Sequence, residues 1–525
     1  WLFHDSPTLT EAFLQKYYDS MILQAEHIME CHSAYRYMSN WGVIENHGLF
    51  EIGVCLPQSE KTKQFIAFAV KNLEVQVRMQ IMPDGVHWEQ SPMYHNEVLH
   101  CLLDVILLAK RNGIALPDVI LRQTEKMAMA DVAWLKPDHH IVMMGDSDDV
   151  DVRDRISVAA YLFLNPVLRF GGFDRLDYES IWDLGMKAGE EYAVMERRKP
   201  DFTSLFLEHS GNTYFRSDWS ERANFLHLHS GTMGAGHGHS DKLHIDLVVN
   251  GEDVLIDGGR YTYVSGPKRF SYKDPSGHNT ITVDDLPFTV CKDSWECSKL
   301  SQPVKENFRC MELAEFAQAG QLGYMDLPGG VYVNRKVVYI KPDLYILVDE
   351  MYTGDCHTYQ QYFHFNNHGA VTLTAPGEKK FPCVAYRGKM AEADFYFVSA
   401  QVKAELKRGH IARHYNVEEE NTVCKVTKPG DGFTSLITVI DAHPGRPLSI
   451  EKLPVRSALK QTDYPETMAE ALKITTGEKE YVVILCHQEV NSPTDLVEAD
   501  GCMGYGNVIV FDKAEDVLVG DVLNW

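Results

Sequence analysis

Several absences narrow this 525-residue chain before any motif is read. The eleven cysteines are odd in number and contain no CxxC pair, which argues against a disulfide framework or a cysteine zinc finger. No apolar run reaches the roughly 18 residues of a membrane span, so no membrane partner is expected. There is no HExxH, so the common zinc-hydrolase pattern is missing. The glycine-rich GTMGAGHG at 231–238 lacks the Lys-Ser/Thr of a phosphate loop, which disfavours nucleotide binding. Basic residues are outnumbered, 50 Lys and Arg against 74 Asp and Glu, and the net charge of -24 disfavours nonspecific nucleic-acid binding as a role. Neither an internal repeat nor a low-complexity segment is visible.

What remains is an ordinary globular composition, 45% apolar and 24% charged, in a chain long enough for two or three domains. The unpaired cysteines favour a reducing, cytoplasmic compartment. The chain begins at Trp1 and not Met, so an N-terminal piece is expected to be missing and a periplasmic or secreted location stays open. Oligomeric state is not legible, and a homo-oligomer is compatible with the sequence.

Apolar residues recur at helical spacing in 8–31, 60–81, 93–110, 117–133 and 152–164, with breaks at Pro57, Ser59 and Asn112-Gly113. Paired amphipathic helices with short connections suggest a helical toroid or solenoid over 1–200. After the charged stretch 190–201 the period changes to two, and strand-like runs continue to the end, with Asn250-Gly251 as a hairpin signal. The expected fold class is multidomain α+β, with a central antiparallel β-sandwich over 201–385 and a C-terminal β domain over 386–525.

The segment 231–285 concentrates His237, His239, Asp257 and His278 among short strand-like runs. Imidazole nitrogens and a carboxylate are standard ligands, so His239, Asp257 and His278 can hold a divalent metal, zinc first and manganese second. If the alternation LHLHSG…GHGH is extended, His237 points to the other face of the same strand. The competing reading is a set of satisfied buried polar residues without metal. An HxH in a β-domain also suggests a cupin-type metalloenzyme, but HSDKLHID lacks the Glu that pattern wants. In the helical half, NWGVIENHGLFEIG carries Asn46 and His47, and QIMPDGVHWEQSPMYH carries Gln80, Glu89, Tyr94 and His95. Pro92 opens a helical run, which puts Tyr94 in a first turn. Singly, Asn46 reads as a helix cap, His47 as a hydrogen-bonded histidine and Tyr94 as a core or rim residue.

Taken in order, ENHG at 45–48, PDGVHWEQSPMYH at 83–95, YFRSDWSERANFLHLHSG at 214–231, GHGHSDKLHIDLVVNGEDVLIDGGRYTY and SGHNTITVDD resemble the heparinase II/III family of polysaccharide lyases. The resemblance implies an α/α toroid followed by antiparallel β domains, and β-elimination at a uronic acid. It implies that Asn46 binds the substrate carboxylate, that His47 is a candidate base and that Tyr94 is the acid, or base and acid together if elimination is syn. It implies further that His237 helps neutralise the carboxylate, while His239 joins Asp257 and His278 in a metal site more structural than catalytic. The expected partner is an anionic polysaccharide or oligosaccharide: a glycosaminoglycan such as heparan sulfate, hyaluronan or chondroitin, or alginate. A noncatalytic carbohydrate-binding protein is the alternative of another class. Because the chain is acidic overall, local cations must meet the substrate. Arg36, Arg78, Arg216, Arg260 and Arg269 lie in or beside the motifs, with Gln80, Glu89, Tyr261 and Tyr263 as further binding candidates. The thin density of Lys/Arg clusters argues against a preference for heavily sulfated heparin.

Overall fold

The computed structural model describes residues 5–374, 380–477, 479–514 and 517–524. They form two compact units, one of residues 1–134 and 150–200, the other of 135–149 and 201–525.

The first unit is helical: α1 (Glu11–Cys31), α2 (Asn40–Cys55), α3 (Glu60–Gln80), α4 (Pro92–Asn112), α5 (Asp118–Trp134) and α6 (Arg153–Phe163), then three short helices to Ala193. Local chemistry sets their ends. Ser59 and Thr62 form a reciprocal capping box at the start of α3. Pro92 opens α4, where a missing N–H costs nothing, and Gly113 closes it at φ 64°. The apolar face of α4 buries Val98, Leu99, Leu102, Leu103, Val105 and Ile106, each contributing about 1.5–3 kcal/mol. One helix escapes the sequence pattern. In α2 buried residues fall on several sides, Val43, Asn46, Leu49, Phe50 and Ile52 among them, so no amphipathic period is visible. Gly42 explains one of its glycines, because a Cβ there would lie 1.9 Å from the Arg36 carbonyl oxygen.

In the second unit a 15-stranded antiparallel sheet is centred on two long strands, Leu344–Phe365 and Val417–Asp441, paired from Leu344↔Asp441 to Phe365↔Thr422. Alternation along its strands feeds two cores. Val337, Tyr339, Tyr345 and Leu347 point to one, with Leu226, Ile245 and Leu255. Val338, Ile340, Ile346 and Val348 point to the other, with Leu472, Val483 and Val510 of a five-stranded sheet built from 448–524. The expected break near 385 is not where the layers change. Residues 375–379 lie outside the described set, and strand Cys383–Arg387 pairs with both Ala370–Thr374 and Glu392–Phe397 in the large sheet. The change of sheet comes at Leu448. Among the described residues no helix is long and apolar enough to cross a membrane.

Candidate functional site

In the helical unit a polar row on α3 builds the ground. Asn72, Gln76 and Gln80, one turn apart, are all buried. Asn72 donates to Asn46 Oδ1 (3.3 Å), Gln76 to the Arg36 carbonyl (3.1 Å), and Gln80 to the carbonyls of Tyr37 (2.8 Å) and Ser39 (3.1 Å). Gln80 Oε1 also meets His87 Nε2 at 3.0 Å. Gln80 is therefore a structural brace holding the entry to α2, and the expectation that it binds substrate is corrected.

Asn46 is not a cap but a mid-helix residue. It has no exposed surface, and its Nδ2 donates to the Gly42 carbonyl at 2.7 Å. It ties helices together, and no substrate carboxylate reaches it unless covering side chains move. His47 lies 3.4 Å from Asp104 and 3.6 Å from Glu51. Burial, the largest single influence, opposes its charge, but Asp104, Cys101 and Glu51 together outweigh it and the imidazole is pushed up to about 10. A ring already protonated at neutral pH cannot accept the C5 proton. Position argues the same way. Asp104 follows Tyr94 by ten residues on α4, roughly 15 Å along the axis at 1.5 Å per residue, too far for both to serve one sugar ring. His47 therefore reads better as a tie between α2 and α4 than as the base that the resemblance implies. His47, Glu51 and Asp104 also bring ligand atoms within 4.8 Å of one another, on partly exposed side chains.

The amide at the right end of α2 is Asn40, which the sequence reading passed over. Glu89 Oε1 accepts from the Asn40 backbone N–H (3.4 Å), which places the start of α2 beside the segment that leads into α4 and Tyr94. Glu89 is buried and anchors this entry, so it is not an exposed substrate ligand. Among the described residues Asn40 Oδ1 meets Ser39 Oγ at 3.5 Å, and no protein acceptor is found for Nδ2. Tyr94 is partly buried in the first turn of α4, where the helix N-terminus favours negative charge. Trp41, next to Asn40 in sequence and 59% exposed, presents an aromatic face with the Arg36 guanidinium 5.2 Å from its centroid.

In the second unit the hub is Asp146, fully buried. His237 Nδ1 (3.1 Å), His239 Nε2 (2.9 Å) and both terminal nitrogens of Arg269 (2.5 and 2.7 Å) converge on it. Burial alone would raise this carboxyl, but its histidine and arginine partners hold it well below the usual carboxylate range. The expected strand through GHGH is an irregular loop, and His237 and His239 turn toward the same carboxylate instead of opposite faces. Gly238 makes that loop, since a Cβ would fall 1.5 Å from the Met233 carbonyl oxygen. The two histidines still differ. His239 is buried, whereas the His237 side chain is 13% exposed and packs against Tyr263 (5.9 Å) and Trp295 (5.2 Å).

Arg269 is fully buried and committed to Asp146, so it positions rather than binds, which corrects the expectation. Arg260 pairs with Asp148 (2.7 and 3.0 Å) and with the Tyr263 hydroxyl, and is likewise a support. Arg36 meets Glu45 at 3.0 Å, Arg78 meets Glu74 at 2.7 Å, and Arg216 donates to the Leu135 carbonyl from the interior. Tyr261 stacks on Tyr272 (5.8 Å), while Tyr263 stays with His237, Trp295 and Tyr415. Nothing in the run GDSDD at 145–149 distinguishes Asp146 from Asp148 and Asp149 by pattern, so the hub had no sequence signal.

His239, Asp257 and His278 bring one ligand atom each within 4.8 Å of the others, all three buried. Among the described residues, His239 Nδ1 and His278 Nε2 have no hydrogen-bond partner. Burial lowers His239 to about 4, so its ring is neutral, the form a metal needs. Asp146 on its far nitrogen supplies the carboxylate that commonly orients a ligating histidine. Asp257 accepts from the Gly259 N–H (2.8 Å) and from His278 Nδ1 (2.8 Å). The donor set fits a divalent metal.

Residues 1–166 match the family description Heparinase II/III N-terminus, and residues 199–449 match Heparinase II/III-like, C-terminal. A heparin-sulfate lyase of Pedobacter heparinus is 26% identical over 315 residues, 56% of this chain and 43% of that protein. One from Bacteroides stercoris is 20% identical over 449 residues, 81% of this chain and 62% of that protein. The chain thus spans about half the length of the curated relatives it matches. Among solved structures, heparan sulfate lyase HepC from Pedobacter heparinus superposes with a TM-score of 0.71 at 19% identity, covering 94% of this chain and 72% of that one. A heparinase III structure gives 0.74 at 17% identity, covering 92% and 71%. These likenesses show the fold, an incomplete α/α toroid with antiparallel β-sandwich layers. With both halves of its pattern matched in order, the chain belongs to the heparinase II/III family.

Proposed function

We propose that the chain is a polysaccharide lyase cleaving a uronic-acid-containing glycosaminoglycan by β-elimination. The observation that carries this is the Asn40–Glu89 contact, which ties the start of α2 to the segment leading into α4 and Tyr94, with Asn40 Nδ2 keeping no protein acceptor among the described residues. Elimination has three demands: neutralise the C6 carboxylate, remove the C5 proton and protonate O4. Asn40 donates through Nδ2 to the carboxylate as enolate charge develops. The Tyr94 phenolate, favoured by the helix N-terminus, takes the C5 proton. The C5 electrons form C4=C5, the C4–O4 bond breaks, and the phenol returns its proton to O4. In the second unit Asp146 holds His237 through Nδ1, which leaves its other nitrogen for the carboxylate-neutralising role that the family resemblance implies. One tyrosine serving as base and acid implies syn elimination. The names of the relatives, heparin-sulfate lyases, favour heparan sulfate within this class; alginate is the second candidate.

Asn40→Ala should lower kcat by about 10²–10³-fold, the cost of removing one oxyanion donor, whereas His47→Gln should leave kcat within a few-fold. The reverse order would restore His47 as base. In the native protein the His47 imidazole should stay protonated past pH 8 by nuclear magnetic resonance, and Asp104→Asn should bring its titration down toward the ordinary 6.5. The sign follows from a raised value: the stabilisation by protonated His47 is full below about pH 6.5 and fades as pH rises toward 10. A ring that titrates near 6.5 in the native protein contradicts the ion-pair assignment.

We propose also that His239, Asp257 and His278 hold zinc, which when bound would tie the loop carrying His237 to the sheet. The support is the two orphaned ring nitrogens beside a buried carboxylate. His239→Ala should reduce bound metal to background and lower the thermal midpoint together. Activity lost with metal content and stability unchanged would contradict a structural metal.

A further inference from the structure

Strands Val290–Cys291 and Cys297–Lys299 form a two-stranded hairpin in which Cys291 and Cys297 are direct cross-strand partners. Their sulfurs are 3.2 Å apart, and both residues are partly exposed. Directly opposed antiparallel residues have Cα atoms about 4.5–5.5 Å apart, inside the roughly 4.4–6.8 Å window a disulfide accepts. We infer that Cys291 and Cys297 are a thiol-oxidation site, a dithiol that an oxidant of the small-molecule disulfide class closes reversibly into one S–S bond.

The balance is complete. The Cys297 thiolate attacks one sulfur of the oxidant and expels its partner as a thiolate. The Cys291 thiolate then attacks Cys297 sulfur and expels the second. Two cysteine thiols lose two protons and two electrons, and the oxidant is reduced to two thiols. The surroundings favour Cys297 as the first nucleophile. The thiol contact with Cys291 lowers Cys297 to about 7, with the Lys273 ammonium adding to the effect and burial opposing it. Its partner Cys291 is raised, chiefly by the same contact.

The hairpin is placed to matter. Its tip carries Trp295, whose ring meets His237 edge-on at 5.2 Å and Tyr263 at 5.2 Å. Ser294 Oγ donates to the Tyr263 carbonyl (2.8 Å), and Lys273 Nζ donates to the carbonyls of Gly236 (2.5 Å) and Ser294 (3.0 Å). Closing the disulfide would fix the strands that hold Trp295 against the His237 loop. The oxidation site itself does not depend on the lyase assignment.

The test uses the intact chain, equilibrated in mixtures of glutathione and glutathione disulfide, quenched with iodoacetamide and digested with trypsin. Cleavage after Lys292 falls between the two cysteines, so the disulfide links peptides 274–292 and 293–299. The expected result is a linked pair that rises with oxidant, disappears on adding dithiothreitol and is absent in Cys291→Ser, which instead carries a glutathione adduct on Cys297. Full alkylation of both cysteines at every ratio would overturn the inference. So would a lasting glutathione adduct on Cys297 in the native sequence, because Cys291 would then have failed to close the bond.

Discussion

Tyr94→Phe should lower the rate of unsaturated-product formation by about 10²–10⁴-fold, the range a positioned acid–base group contributes. Two proton transfers pass through the one hydroxyl in the proposed route, so the loss belongs at the upper end. It should appear in kcat with oligosaccharide affinity nearly unchanged, because the hydroxyl acts on C5–H and O4 rather than on the groups that hold the chain. Stability should move by no more than about 1 kcal/mol, the net worth of an ordinary hydrogen bond. Matched rate measurements and denaturant titrations on the two proteins check this. A variant with the native rate would remove Tyr94 from the chemistry.

Asp146→Ala should be the most destabilising single change in the sandwich unit. The carboxylate is fully buried and is met by both terminal nitrogens of Arg269, by His237 and by His239. Removing it strands a fully buried guanidinium, a loss of about 3–5 kcal/mol by analogy with other broken buried pairs. The double variant Asp146→Leu with Arg269→Met should recover part of that stability, because no charge is left unpaired, yet it should not recover the orientation of His237. Activity and stability should therefore separate in the double variant, which a purely structural role for Asp146 does not allow. The pH dependence has a definite sign. A carboxyl held below its usual range stabilises the fold above about pH 4, and the contribution fades as pH falls further. Acid unfolding of the native protein should begin at lower pH than in an Asp146→Asn variant that still folds.

The helices and the change to strands at about residue 200 were legible because period in the sequence reports burial on one side. The helix α2 was not, since its buried residues face several ways. The site was legible in part for the same reason. Pro92 announces a helix start, so Tyr94 could be placed in a first turn from sequence. Asn40 could not be, because its value comes from lying beside Glu89, 49 residues away. The adjacent Asn46 and His47 drew attention as a polar pair, yet one braces α2 against α3 and the other is an ion pair with α4. Arg260 and Arg269 stood near the metal-like cluster as cations for an anionic substrate. Only the fold shows that Asp148 and Asp146, more than a hundred residues earlier, already neutralise them. The disulfide-capable pair was hidden by counting: an odd number of cysteines without CxxC says nothing about two that face each other across a hairpin.

The most direct test follows ultraviolet absorbance of the C4=C5 double bond while the purified chain acts on heparan sulfate, heparin, hyaluronan, chondroitin sulfates and alginate in parallel. Absorbance should rise with a glycosaminoglycan, heparan sulfate foremost, and the rise should vanish in Tyr94→Phe. New reducing ends without absorbance would mean hydrolysis, and a flat trace with unchanged reducing ends on every polymer would contradict the lyase assignment.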